Sequence, residues 1–172
     1  MKKILLTLFA FCFVLLAASQ KTIHDPNAQV RTAKGFHAIN VSGGIDLYLS
    51  HGDEAVAVSA SNTKYLEYLK TEVENGVLKI WFDYKNLTRL NFNDKRNLKA
   101  YVSYKNLNKL IASGGSDVNV DGTIKSDELV LNISGGSDFE GKVDVNELTI
   151  DQSGGSDVDI EGRATKISIE AS

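Results

Sequence analysis

The chain has 172 residues, of which 42% are hydrophobic, 24% charged and 8% aromatic, a composition typical of a folded globular protein and not of a disordered tail. Its 19 lysines and arginines are outnumbered by 22 aspartates and glutamates, which gives a net charge of −3. No basic surplus is left to follow a phosphate backbone, so nucleic acid is excluded as an expected partner.

The first nineteen residues have the order of a secretory signal. Two lysines precede an apolar run from Ile4 to Leu16, and small residues follow it. The run is too short for a membrane-spanning helix, which needs about 20 residues. We therefore interpret 1–19 as a signal peptide and predict an exported protein, periplasmic or on the outer surface, with no transmembrane segment in the mature chain. Cleavage also removes Cys12, the only cysteine, so neither a disulfide nor a thiolate metal site is expected.

Composition divides the rest of the chain into three parts. Residues 20–35 are polar, lack periodicity and hold the only proline, so they are interpreted as a polar tether. Residues 36–112 hold most of the aromatic residues and are interpreted as an N-terminal β region, in which apolar residues alternate with polar ones. Residues 113–172 hold nine of the fourteen glycines.

One segment of the β region has a different spacing. Leu66, Leu69 and Val73 recur every three or four residues behind an Asn62 cap, and Gly76 stands just past the end. This spacing predicts a short helix near residues 62–74.

The last part of the chain is repetitive. The sequence Ser-Gly-Gly-Ser-Asp occurs at 113–117, 134–138 and 153–157, and each copy begins a unit of two short apolar strands and two corners. Spacings of 21 and 19 residues are typical of a stacked array. We therefore predict an all-β right-handed parallel β-helix, a solenoid capped by the N-terminal strand-rich region and its helix.

The chain stops at the phase where a further copy is expected to begin. The sequence thus predicts a truncated C-terminus, or an open C-terminal edge that another molecule covers. Self-association through that edge is one way of covering it.

The corners of the repeat form the candidate binding surface. Glycine supplies the positive φ of a corner, and serine and aspartate side chains bond the free N–H groups of turns. Stacking would place the three aspartates in a row about 5 Å apart, where a cation or a basic ligand would relieve their repulsion. The candidate residues are Asp117, Asp138, Asp157, Ser116, Ser137 and Ser156.

Residues 117–128 also satisfy the pattern of an EF-hand calcium loop, with Asp117, Asn119, Asp121 and Glu128 at ligand positions. An EF-hand needs a helix on each side, whereas here two glycines precede the loop and a β-rich run follows it. A strand with a corner is the favoured interpretation, and calcium binding is the alternative.

Other motifs do not indicate chemistry. His24, His37 and His51 lack the spacing of metal ligands, and the glycine-rich corners fit neither a P-loop nor a nucleophile elbow. No catalytic residue, metal or cofactor is therefore expected. Tyr48 and Tyr101 are candidates for a sugar-stacking platform, although outer-face strand residues would have the same pattern.

Four motifs in order carry a resemblance to a known family. VSGGIDLYLS at 41–50, YLKTEVENGVLKI at 68–80, GTIKSDEL at 122–129 and the repeated SGGSD resemble the auto-transporter adhesin, head GIN domain family, over residues 36–172. These are exported proteins common in Bacteroidetes. The resemblance implies a secreted right-handed β-helix with an adhesive role and more coils than are present here, and it implies no catalytic residues.

Together these observations predict an exported, non-enzymatic adhesin or envelope binding module whose partner is a glycan or another envelope protein. A carbohydrate-active enzyme is the first alternative. The acidic residues are spread regularly over the corners and not gathered in a groove, which disfavours it. An edge-to-edge assembly element is the second alternative.

Overall fold

The computed structural model describes residues 25–86 and 95–172, so the predicted signal peptide 1–19 and His24 lie outside it. This part of the chain forms eleven strands and two 3₁₀ turns, Thr63–Tyr65 and Tyr84–Asn86. Neither helical segment is long enough to cross a bilayer. The strands are β1 Gln29–Arg31, β2 Ala38–Ser42, β3 Ile45–His51, β4 Ala55–Ser59, β5 Leu69–Glu74, β6 Val77–Phe82, β7 Leu98–Tyr104, β8 Lys109–Ser113, β9 Val118–Ser134, β10 Asp138–Ser153 and β11 Asp157–Ala171.

The strands of the first half follow the alternation of the sequence. In β3, Ile45, Leu47 and Leu49 are buried while Tyr48 between them is exposed. Period two places every second side chain on the same face of a strand, so one face of β3 packs into the core and the other faces solvent. The half-buried strands predicted from the sequence are confirmed here.

The three long strands carry the three copies of the repeat and run parallel. Val118 of β9 lies beside Phe139 of β10, which lies beside Val158 of β11. The differences in residue number between these partners, 21 and 19, equal the spacings of the repeated motif. Equivalent residues of successive copies are therefore neighbours in the sheet. The first half of β9 pairs with β3 and its second half with β8, so the sheet bends at Gly122, whose φ is +90°.

Bending of the long strands makes one sheet enclose one apolar core. All eleven strands belong to that sheet, which curls until it is a nearly closed barrel. Inward residues such as Leu131 of β9 and Phe139 of β10 belong to the same buried cluster as Ile39 of β2. The outer surface of the curl carries the charged and polar side chains.

The all-β prediction is confirmed, but the right-handed parallel β-helix is wrong. The sheet is mixed, because β1 pairs antiparallel with β4, β4 with β7, and β5 with β6. The repeat determines only the pairing of the strands that contain it. Of the three antiparallel pairs only β5 and β6 are consecutive strands, and the short Asn75-Gly76 turn between them imposes that direction. Strands β1, β4 and β7 are not consecutive, and they pair across longer connections.

The helix predicted near 62–74 is also wrong. Within this segment only Thr63–Tyr65 is helical, as a single 3₁₀ turn behind the Asn62 cap, and β5 follows. Asn75 and Gly76 have φ of +51° and +76° and connect β5 to β6. An Asn-Gly pair with positive φ at both positions is the preferred two-residue hairpin turn, and the hairpin prevails over the helical spacing of Leu69 and Val73.

The described end of the predicted tether packs on the sheet. Within residues 20–35, β1 pairs with β4 and Ala33 is buried. Residues 29–31 of this segment therefore add a strand beside β4 at the edge of the sheet.

We expect Gly162→Ala to destabilise the protein by about 2 kcal/mol or more. Gly162 has a φ of +131°, and an added Cβ would overlap the carbonyl oxygen of Val143 in β10. Gly155→Ala is the matched control, since a Cβ there meets nothing within 4 Å. Urea unfolding of both variants tests this expectation, and equal midpoints would contradict it.

Candidate functional site

The corner serines form a chain of buried hydrogen bonds. Ile45 N donates to Ser116 Oγ at 3.2 Å, Ser116 N donates to Ser137 Oγ at 3.0 Å, and Ser137 N donates to Ser156 Oγ at 3.4 Å. The three side chains are only 0%, 0% and 4% exposed. Each hydroxyl satisfies an N–H group of the preceding corner that would otherwise be buried without a partner.

Burial removes these serines from the candidate binding surface. Ser116, Ser137 and Ser156 were predicted to contact a ligand, and their side chains face the inside of the corner instead. The aspartate that follows each serine points the opposite way, because successive strand residues alternate between faces.

The aspartates form an exposed row. Asp138 lies beside Asp157 and its carboxylate accepts a 3.1 Å hydrogen bond from Asp157 N, while Asp117 precedes the pair of Val118 with Phe139. Asp46 of β3 precedes the pair of Leu47 with Val118 and extends the row by one member. We call Asp46, Asp117, Asp138 and Asp157 the acidic row.

The fourth member was missed in the sequence, although a signal was present. Residues 42–46 read Ser-Gly-Gly-Ile-Asp, a copy of the repeat in which isoleucine replaces the second serine. Ile45 donates its N–H to Ser116 as the repeat serines do to one another. A search for the repeat that tolerated one substitution would have found it.

The row has an electrostatic gradient at its Asp46 end. Partial burial raises the pKa of Asp46, and the neighbouring Asp117 carboxylate raises it further. Lys99, which lies beside Asp46 on β7, opposes that shift. A lysine of the protein thus stands beside the row at Asp46, whereas Asp138 and Asp157 are exposed to solvent.

Next to the acidic row lies a stacked tyrosine pair. Tyr48 and Tyr101 are opposite each other on β3 and β7, with ring centroids 5.3 Å apart and planes at 19°. The Tyr101 hydroxyl donates to Asp25 Oδ2 at 2.9 Å. Burial and this carboxylate raise the pKa of Tyr101 well above its usual range, so the hydroxyl stays protonated and the ring is held in place.

Tyr48 presents its other side to a polar strip. Tyr101 covers one face of the ring, and β9 lies on the opposite side of β3 from β7. Asn119 is the residue of β9 beside Tyr48, and Glu140 and Asp159 continue that line on β10 and β11. The Tyr48 residue is 37% exposed, and a line of polar residues continues from it across the neighbouring strands.

The EF-hand pattern at 117–128 is laid out as a strand. Asp117, Asn119 and Asp121 are two residues apart along an extended chain, so successive ones are separated by about 6.6 Å and do not converge on one ion. Within residues 25–86 and 95–172 no group of three histidine, cysteine or acidic side chains is placed to hold a metal. His51 packs edge-on against Tyr104, whereas His37 packs beside Gly76. The two histidines therefore have separate packing roles and do not form a pair.

A shallow depression closes the Asp46 end of the row. Gly43, Gly44, Asp46, Tyr84 and Arg96 line it. The Arg96 guanidinium lies 5.3 Å from the centre of the Tyr84 ring, and the Tyr84 hydroxyl donates to the Gly43 carbonyl at 3.0 Å. A cationic group therefore stands near the same end of the row as Lys99.

Comparison with known proteins gives a family and a fold. A family model described as "Putative auto-transporter adhesin, head GIN domain" matches residues 35–172, which confirms the resemblance seen in the motifs. No curated protein sequence matches the chain.

Solved structures share the fold at low sequence identity. A Bacteroides fragilis protein described as a putative adhesin has a TM-score of 0.76 and 16% identity, over 84% of this chain and 66% of that one. A Parabacteroides merdae putative adhesin has a TM-score of 0.67 and 19% identity, over 82% of this chain and 58% of that one. A Parabacteroides distasonis protein described as a putative lipid binding protein has a TM-score of 0.60 and 18% identity, over 86% and 72%. The chain thus spans less than two thirds of the length of the first two.

We expect Ser137→Ala to lower the free energy of unfolding by about 1–3 kcal/mol, because Ser116 N loses its buried acceptor. Asp138→Asn is the control, since this exposed neighbour keeps an acceptor oxygen for Asp157 N. Urea unfolding compares the two. A Ser137→Ala variant as stable as Asp138→Asn would refute the structural role given to the corner serines.

We expect Asp46→Asn to stabilise the protein at pH 7. The pKa of Asp46 is raised in the folded state, so its carboxyl ionises less readily there than in the unfolded chain. Above the pKa of the unfolded chain this difference lowers the free energy of unfolding, and replacing the carboxyl with an amide removes it. The gain should disappear near about pH 3, where the carboxyl is largely protonated in both states. Thermal unfolding at both pH values measures this, and a gain that persists at low pH would point to a cause other than charge.

Proposed function

This chain belongs to the auto-transporter adhesin, head GIN domain family, and from that membership we propose that it is an exported, non-enzymatic binding protein that holds a carbohydrate against Tyr48. The adhesin descriptions of the family and of two structural neighbours support an adhesin-like role. The secretory order of residues 1–19 supports export.

The observation that carries the proposal is the half-covered Tyr48 ring. A pyranose has apolar C–H faces and a rim of hydroxyl groups, so it favours an aromatic face with hydrogen-bonding groups around it. Tyr101 stacks on the Tyr48 ring from the β7 side, the ring stays partly exposed, and Asn119 is the register partner of Tyr48 on the β9 side. An amide both donates and accepts hydrogen bonds, which suits a sugar hydroxyl.

The regular rows favour an extended ligand. From Tyr48 the line of Asn119, Glu140 and Asp159 crosses three strands, and the acidic row runs beside it. Neighbouring strands are about 4.8 Å apart, so acceptors recur along both lines at that interval. A chain of sugars lying across the strands would meet equivalent polar groups at each step.

The same arrangement argues against glycoside hydrolysis. The two carboxyl groups of a glycosidase flank the bond that is broken. Members of the acidic row stand side by side on one outer face, so a ligand lying on that face has all of them on the same side. The row can hold hydroxyl groups, but it does not enclose a bond.

Glycan-array binding tests the proposal, with Tyr48→Ala against Tyr48→Phe. We expect Tyr48→Ala to weaken binding about tenfold or more, since the ring supplies the stacking surface. Tyr48→Phe keeps the ring and should bind nearly as the wild type. Binding that is equal in both variants, or no glycan bound at all, would reject the carbohydrate site and favour an envelope protein as the partner.

Two further measurements address the remaining parts of the proposal. Incubation of bound polysaccharide followed by a reducing-end assay should show no new ends, and turnover abolished by changing one carboxylate would overturn the non-enzymatic assignment.

Cell fractionation with protease treatment of intact cells should find the protein outside the inner membrane, and a cytoplasmic protein would overturn export.

A further inference from the structure

The outer side of β11 differs from that of the other long strands. Within the part of the chain that the structure describes, β11 pairs with β10 alone. Ile167 and Ile169 lie beside Leu148 and Ile150 of β10, which are buried, yet they are 57% and 62% exposed. Two large apolar side chains of the core row are therefore open to solvent.

The backbone of β11 presents free hydrogen-bonding groups at these same residues. Ser172 N donates to the Gln152 carbonyl, and Gly154 N donates to the Ser172 carbonyl. In a parallel ladder the residues bonded to one neighbour alternate with residues directed away from it. Even-numbered residues near Ser172 thus face β10, and Ile167 and Ile169 direct their N–H and C=O groups outward.

This edge is complementary to itself. If two copies meet antiparallel with Ser168 at the two-fold axis, Ile167 of each lies opposite Ile169 of the other, and Lys166 lies opposite Glu170. The isoleucine pairs fall where both backbone bonds are exchanged. The Lys166 and Glu170 pairs fall at the positions between, where facing side chains are closer.

The charges around the edge favour the same pairing. Glu170 lies beside Asp151 of β10, so two acidic residues are neighbours at this position of the edge. Lys166 lies beside Glu147, with its Nζ 3.6 Å from the carboxylate, and remains 70% exposed. Pairing would bring Lys166 of the second copy next to the Glu170 and Asp151 carboxylates, so opposite charges alternate across the junction.

We propose that residues 166–170 of β11 pair antiparallel with the same residues of a second copy of this chain. The two sheets join edge to edge, four backbone hydrogen bonds form between Ile167 and Ile169 of the two copies, and their exposed side chains cover one another. The contact is isologous, so it closes at a dimer and does not propagate. Strand addition of this kind gains affinity from the main chain and specificity from alternate side chains.

Charge exchange tests the register. The full chain, expressed for export, is examined by sedimentation equilibrium over a dilution series, where we expect a monomer–dimer equilibrium. Lys166→Glu alone, or Glu170→Lys alone, should weaken dimerisation roughly tenfold, because two attractive pairs become repulsive. The double variant Lys166→Glu/Glu170→Lys should recover it, since each residue again faces its opposite.

A backbone variant removes the pairing by another route. Ile169→Pro deletes an N–H that points away from β10, so the bonds within the sheet are kept. Circular dichroism confirms folding, and the folded variant should be monomeric. A wild-type chain that stays monomeric at every concentration, or a double variant as weak as the single ones, would overturn the proposal.

Discussion

The hydrogen bond from the backbone of one corner to the buried serine of the next copy is the interaction on which the rest of the structure depends. It links Ile45 to Ser116, Ser116 to Ser137, and Ser137 to Ser156, across four strands. A slip of one residue would turn every inward side chain outward, so the register must be fixed at some point in each unit. The serine does this in the interior, where an unpaired N–H would be costly and no water competes for it.

Once the register is fixed, core and surface follow from the same geometry. Each corner places an apolar residue inside and an aspartate outside, and stacking converts both into rows. The inner row is stabilised by burial, whereas the outer row brings like charges together. The structure offsets that repulsion with the bond from Asp157 N to Asp138 and with Lys99 beside Asp46. The candidate binding face is thus a consequence of the same stacking that holds the fold together.

The sequence predicted the parts of the molecule that depend on local pattern. Alternation located the strands, and the repeat located the neighbours of Val118 and Phe139. It failed where one pattern has two meanings. Asn75-Gly76 fits the end of a helix as well as a hairpin, and only pairing with β6 decides between them. Serine and aspartate are equally good turn residues, so composition could not tell that one is buried and the other exposed. The direction of β4 depends on its tertiary contact with β7, which no repeat encodes.

The proposed carbohydrate site and the proposed dimer edge lie on different parts of the sheet, and this separation has a consequence for binding. Tyr48 belongs to β3, in the arm of the sheet that contains the first half of β9, whereas residues 166–170 belong to the arm that contains its second half. Pairing through β11 would therefore leave both tyrosine pairs uncovered. A single aromatic wall with a few hydrogen bonds binds a sugar weakly, but two such walls on one particle act together on an extended glycan. Their combined strength then depends on the effective concentration that the dimer imposes, without any new contact to the ligand.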